Sequence, residues 1–282
     1  MIDRPFGPAR RQVPAIGQGT WNVPTRGAAA DEAKRALRRG IELGMVHVDT
    51  AEIYGDGASE RLVGEAIQGL PREQLFIVSK VAPSHATYDG TIRACEASLK
   101  RMRLDYLDCY LLHWRGGTPL GETMRAMERL VTDGKIRMLG VSNFEVDDLE
   151  EAAAALEREP IACNQILYHL GERTIEAHEL PYCRERGIAI VGYTPFGRGD
   201  WHDSRGAHVL ERIAAKHAAT SRQVILAFLT REPGTFTIPK ASTIPHVEEN
   251  AGAGDLRLDP QDITAIDEAF PTRKRRGGIP TL

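Results

Sequence analysis

Short apolar runs alternate along the chain with segments whose apolar residues recur at helical spacing. The runs cover residues 46–49, 76–80, 106–113, 136–142, 161–165, 189–193 and 236–240, and an earlier one near 15–19 makes eight. Runs of this length read as buried strands, and the periodic segments between them, at 29–43, 88–102, 118–131, 146–156 and 175–186, read as amphipathic helices. The strand ends at Asp49, Lys80, His113, Ser142, Gln165 and Tyr193 follow one another at intervals of about 30 residues, room for one strand and one crossover helix and hence for parallel pairing. A longer interval before Lys240 holds two helical segments, 207–218 and 221–230, so one helix is added to the repeat. The pattern predicts an α/β fold, a (β/α)8 TIM barrel, as a single domain over residues 1–282. A doubly wound open sheet would want a glycine-rich phosphate loop after the first strand, and Gly17-Gln18-Gly19-Thr20-Trp21 is not one.

Composition changes this picture little. With 282 residues, 42% hydrophobic and 27% charged, the chain can bury a large core. A net charge of −3 offers no broad attraction to nucleic acid or to an anionic membrane, which favours small-molecule chemistry. Arg4, Arg10 and Arg11 are not followed by the apolar stretch of a signal peptide, and no segment approaches membrane-spanning length, so a cytoplasmic protein is expected. Cys95, Cys109, Cys163 and Cys183 are widely spaced and form no Cys-x-x-Cys pair, which predicts buried free thiols rather than a zinc site or disulfides.

Barrel active sites are assembled at the C-terminal ends of the strands, where Asp49, Lys80 and His113 fall in succession, with Tyr54 five residues beyond Asp49. Singly, each has a structural reading: a loop cap, a rim aromatic, a surface pair, a core histidine. Together they suit reduction of a carbonyl. A carbonyl that accepts hydride becomes an alkoxide and needs a proton, which Tyr54 can give. An ammonium at Lys80 would stabilise the phenolate left behind, Asp49 would balance that ammonium, and His113 would orient the substrate oxygen.

The segment His47-Val48-Asp49-Thr50-Ala51-Glu52-Ile53-Tyr54-Gly55 resembles the Asp-x-x-x-x-Tyr-Gly motif of the aldo-keto reductases. Further matches follow in family order: Asp105-Tyr106-Leu107-Asp108 through Trp114, Gly134-Lys135-Ile136-Arg137 through Phe144, Asn164-Gln165, Gly192 to Gly197, and Ile238-Pro239-Lys240. The resemblance implies that Asp49, Tyr54, Lys80 and His113 are catalytic and that a reduced nicotinamide cofactor, NADPH, lies across the strand ends. It implies that Ser142, Asn143 and Gln165 hold the carboxamide, that Tyr193 stacks on the ring, and that Gly19, Thr20, Trp21 and Asp49 also bind the cofactor. Thr194, Pro195, Phe196, Gly197 and Ile238 would also contact the cofactor, Lys240 with Ala241, Ser242 and His246 would meet the 2′-phosphate, and Glu249 with Asn250 the adenine. Ala241 and His246 depart from the usual hydroxyl and arginine; a histidine grips phosphate less firmly, which lets NADH compete.

The pattern most resembles the short bacterial reductases that include methylglyoxal reductases, especially at Leu112-His113-Trp114-Arg115-Gly116 and Leu167-Tyr168-His169-Leu170, which points to small aldehydes. Trp21, Tyr54, His113 and Trp114 are the expected substrate contacts, with Ile53 narrowing the entrance. The expected partner is a small carbonyl compound, with no nucleic acid or membrane, on a monomer or weak homo-oligomer. Two rival functions differ in kind. A metal-dependent hydrolase could use His47 and Asp49, but Lys80, Ser142, Gln165 and Tyr193 at the later strand ends suit a metal poorly. A nicotinamide-binding regulatory subunit would keep the fold without turnover. The run Arg273-Lys274-Arg275-Arg276 reads as a solvated tail, short enough to leave the pocket open and broadly specific.

Overall fold

Residues 1–197, 199, 201, 206–275 and 277–281 are described in the computed structural model. The strands are β1 (Asp3–Phe6), β2 (Arg11–Pro14), β3 (Gln18–Gly19), β4 (His47–Asp49), β5 (Phe76–Val81), β6 (Leu107–Leu112), β7 (Ile136–Ser142), β8 (Ile161–Leu167), β9 (Ala189–Tyr193) and β10 (Thr235–Thr237). The helices are α1 (Gly27–Glu42), α2 (Ala58–Ile67), α3 (Tyr88–Met102), α4 (Leu120–Thr132), α5 (Val146–Ala154), α6 (Glu179–Glu185), α7 (Gly206–Lys216), α8 (Ser221–Leu229), α9 (Ile244–Gly252) and α10 (Pro260–Ala269).

Strands β3 to β10 pair in sequence order, all parallel. Two further parallel bridges, Ile16 with Thr237 and Gly19 with Lys240, join the first of these strands to the last and close the barrel, which removes the open-sheet alternative. Every residue of β5, β6 and β8 is buried, as expected of strands covered by helices outside and by side chains within. The closure is tight. A Cβ on Gly17 would lie 2.7 Å from the His47 carbonyl oxygen, and one on Gly19 would lie 2.6 Å from that of Ile238. Pro239 has no N–H for the ladder, so the last strand ends at Thr237 and resumes only as the bridge at Lys240.

The apolar pattern located the eight barrel strands, four of them shorter than expected, but not the hairpin formed by β1 and β2. That hairpin carries Phe6 to the barrel floor, where its ring centroid lies 4.8 Å from Phe76 and 5.0 Å from Phe236. Helices α2, α9 and α10 also lay outside the expected set. The helix expected over 175–186 is broken. A short 3-10 turn, Thr174–Ala177, is separated from α6 by His178, because Pro181 would clash with the preceding turn of a continuous helix. All four cysteines are free and buried, and burial pushes the thiols of Cys95 and Cys183 up to about 12. Among the described residues no helix is long and apolar enough to cross a membrane.

Candidate active site

The open end of the barrel holds a cleft of about 700 Å³. Asp49 ends β4, Lys80 lies in β5, and His113 follows β6, its N–H held by the Val81 carbonyl at 3.0 Å. Tyr54 sits in the loop between β4 and α2, and its carbonyl accepts from the Ser59 N–H at 3.2 Å. The four side chains expected from the sequence therefore converge. Lys80 Nζ donates to Asp49 Oδ1 at 2.5 Å and to the Thr50 carbonyl at 2.8 Å, and lies 3.5 Å from the Tyr54 hydroxyl. The Tyr54 and His113 rings meet edge to face with centroids 5.6 Å apart.

Asp49 and Lys80 are fully removed from solvent. Burial would push the Lys80 ammonium below its ordinary value, but the Asp49 carboxylate, with Tyr54, holds it above. Burial pushes Asp49 up against the opposing pull of Lys80. Burial also pushes the Tyr54 hydroxyl above 10: Lys80 lowers it, as the residue pattern leads one to expect, but desolvation and the Asp49 charge outweigh that pull. His113 is held down to about 3 by burial and by Lys80, so its imidazole is neutral across the physiological range and can donate one hydrogen bond. Its Nδ1 finds no hydrogen-bond partner among the described residues. The site thus offers two neutral O–H and N–H groups to one small volume, backed by a buried ammonium.

Along the cleft from this cluster lie Ser142, Asn143 and Gln165, side by side at the ends of β7 and β8. Gln165 Nε2 donates to Asp49 Oδ2 at 2.7 Å, and the Tyr193 hydroxyl donates to Asn143 Oδ1 at 2.8 Å. Asn143 adopts φ 60°, a left-handed conformation that asparagine tolerates. Thr194 adopts φ 53°, which a β-branched residue does at a cost, and the turn it opens brings Pro195, Phe196 and Gly197 to the cleft wall. Gly19, Thr20 and Trp21 line the opposite side, and Ile238 and Lys240 its far end. Lys240 is exposed, with Ser242 Oγ at 3.5 Å. Ala241, Ser242, His246, Glu249 and Asn250 are not part of the cleft wall; His246 is exposed on the first turn of α9, and Asn250 is buried with an unpartnered amide oxygen.

Trp21, Ile53 and Trp114 form an apolar rim and are each more than two-fifths exposed. Asn22, Arg115 and Thr281 also line the cleft and were not among the expected site residues. Asn22 follows directly on Trp21, which was a usable signal. No local motif marks Thr281. The solvated-tail reading of Arg273 to Arg276 needs correction: Arg273 and Lys274 are exposed, but Arg275 pairs with the fully buried Glu179 at 2.6 Å. With the Ile279 N–H bound to Glu145 at 3.0 Å, this contact lays the C-terminal segment along the cleft; Arg276 lies outside the described residues. His47 packs edge-on against Phe6 and Phe76, with neither ring nitrogen partnered, and among the described residues no three His, Cys, Asp or Glu side chains converge as metal ligands.

This arrangement has counterparts. The model of the aldo/keto reductase family matches residues 15–270. The methylglyoxal reductase YeaE of Escherichia coli (strain K12) is 43% identical over 269 residues, 95% of this chain and 94% of that protein. The glyoxal reductase of Bacillus subtilis (strain 168) is 38% identical over 258 residues, 91% and 88% of the two chains. The crystal structure of an aldo/keto reductase from Klebsiella pneumoniae, in complex with NADP and acetate, superposes with a TM-score of 0.91 at 42% identity, covering 99% of each chain. A closed barrel whose strand ends gather Asp49, Lys80, His113 and the Tyr54 loop, matched over nearly its whole length at this identity, places the chain in the aldo/keto reductase family.

Proposed function

We propose that this protein reduces small aldehydes and ketones to alcohols with NADPH, and that Tyr54 supplies the proton. One observation carries the reading: the Lys80 ammonium lies between the Asp49 carboxylate and the Tyr54 hydroxyl at the open end of the barrel. When bound, the nicotinamide supplies the hydride. Tyr54 and neutral His113 each direct a donor at the carbonyl oxygen; as charge builds on that oxygen the Tyr54 proton moves to it, and Lys80 stabilises the phenolate. Asp49 keeps the ammonium in place, so the phenol faces a cation fixed before the reaction begins.

The cleft residues suit the cofactor. Ser142, Asn143 and Gln165 provide hydroxyl and amide groups that match a carboxamide, and Tyr193 provides an aromatic face beside them. Lys240, at the far end of the cleft, offers a cation to a 2′-phosphate. The Klebsiella structure, crystallised with NADP, supports this assignment, and the methylglyoxal and glyoxal reductase relatives, with the apolar rim of Trp21, Ile53 and Trp114, support small aldehydes as substrates.

The test is Tyr54→Phe, read by loss of reduced-nicotinamide absorbance with methylglyoxal and separately by fluorescence titration of NADPH. The expected result is a loss of turnover of about a hundredfold or more with cofactor affinity unchanged. Turnover near that of the wild type would remove Tyr54 from the proton-donor role. Cofactor binding without turnover in the wild type, across aldehydes and ketones, would favour a regulatory subunit.

A further inference from the structure

Behind Lys80 the barrel holds a ring of buried hydroxyls that the chemistry above does not use. Thr50 Oγ1 donates to Ser59 Oγ at 3.2 Å, Ser59 Oγ donates to Thr20 Oγ1 at 2.8 Å, and Thr20 Oγ1 donates to the Asp49 carbonyl at 2.9 Å. The three side chains come from the residue after β4, from α2 and from the residue after β3, and all three residues are buried. Ser59 is the junction. Its N–H holds the Tyr54 carbonyl, while its hydroxyl holds Thr50, whose carbonyl accepts the Lys80 ammonium at 2.8 Å. The next residue, Glu60, is also buried and accepts from the Ser79 hydroxyl at 2.6 Å, beside Lys80 in β5, with Arg101 closing the pair on its outer side. One turn of α2 is thereby tied to the backbone of the proton donor on one side and to the backbone beneath its cation on the other.

We infer that Ser59 is a positioning residue for the reduction: by bridging Thr20 and Thr50 while holding the Tyr54 backbone, it sets the separation between the Tyr54 hydroxyl and the Lys80 ammonium. The inference rests on Tyr54 being the proton donor. Buried hydroxyls in a connected chain hold one geometry, because any member left without its partner bears a desolvation penalty. Replacing Ser59 by Ala opens the ring at its centre and frees the Thr50 end of β4 from α2.

The experiment compares purified wild type, Ser59→Ala, Thr50→Val and Thr230→Ala, with Tyr54→Phe alongside. Thr230→Ala removes a buried hydroxyl bond of the same kind, to the Leu226 carbonyl at 2.8 Å, away from the site. The expected result for Ser59→Ala is a fall in kcat of about tenfold to a hundredfold with NADPH affinity unchanged. Its alkaline limb should also move to higher pH. Tyr54 faces Lys80, Asp49 and the neutral His113, and of these Lys80 is the one that lowers the phenol. A more distant ammonium leaves the phenol protonated to higher pH. Thr50→Val, which leaves α2 intact, should move both readouts the same way by less, and carries the test if Ser59→Ala does not fold. Thr230→Ala should lose thermal stability with kcat and pH profile as in the wild type. Inactive Tyr54→Phe together with wild-type kcat and pH limb in Ser59→Ala and Thr50→Val overturns the inference alone; active Tyr54→Phe overturns the reading beneath it.

Discussion

Lys80 is a lysine with no exposed surface, and its charge survives there because Asp49 lies 2.5 Å away and the Thr50 carbonyl takes a second of its protons. Lys80→Met should leave a buried carboxylate without its cation, costing about 3–5 kcal/mol in urea unfolding as well as turnover. Lys80→Met combined with Asp49→Leu should recover most of that stability and none of the activity; a double variant as unstable as the single one would mean that the loss comes from removing the pair itself and not from an orphaned carboxylate. The four converging residues were legible because barrel chemistry sits at strand ends, and strand ends can be read from where an apolar run stops. The balance of forces on Tyr54 was not legible. Proximity of Lys80 follows from the motif, but the desolvation that outweighs it depends on how deeply the loop is buried, which no local pattern records. Thr281 escaped notice for a related reason, since it reaches the cleft through tertiary packing, whereas Arg115, like Asn22, directly follows a tryptophan already marked as a pocket residue.

At the scale of elements, a period of apolar residues finds whatever repeats and overlooks what occurs once. The β1–β2 hairpin belongs to no βα unit, yet Phe6 is fully buried among the rings of the barrel floor. Phe6→Ala should cost about 3–5 kcal/mol through the cavity it opens, seen as a lower urea midpoint, while kcat stays close to that of the wild type because the floor lies at the end away from the cleft. Helix α6 shows the reverse error, an expected helix cut short by Pro181. The C-terminal segment is a third single occurrence. Its charge pattern reads as solvated, but the fully buried Glu179 carboxylate takes Arg275 as its cation. Arg275→Met should release the segment from Glu179, lowering the melting temperature and raising KM for a small aldehyde several-fold with kcat changed by no more than about twofold. An unchanged KM would show that the segment lies beside the cleft without shaping it.

At the scale of the whole molecule, two imidazoles among the described residues, His47 and His113, are held down to about 3 by burial and by Lys80. Their folded-state values lie below the unfolded value of 6.5, so the unfolded chain takes up more protons as the pH falls. The stability they contribute is complete above about pH 6.5 and is lost progressively toward pH 3, by about 1.4 kcal/mol per pH unit for each ring. His47→Phe, which keeps an aromatic ring against Phe6 and Phe76, should flatten the acid limb of the unfolding free energy by about that slope; parallel limbs for the two proteins would count against a neutral buried His47.

Closure of the barrel also has a consequence for synthesis. Asp49, Tyr54, Lys80 and His113 all leave the ribosome in the first half of the chain, but the free side of β3 finds its partners only at Thr237, Pro239 and Lys240. Until those residues emerge, the nascent chain carries an open strand edge beside a half-formed apolar interior, the condition under which chains pair with one another instead of with themselves. A message truncated anywhere between His113 and that point therefore encodes Asp49, Tyr54, Lys80 and His113 but no closed barrel to hold them together.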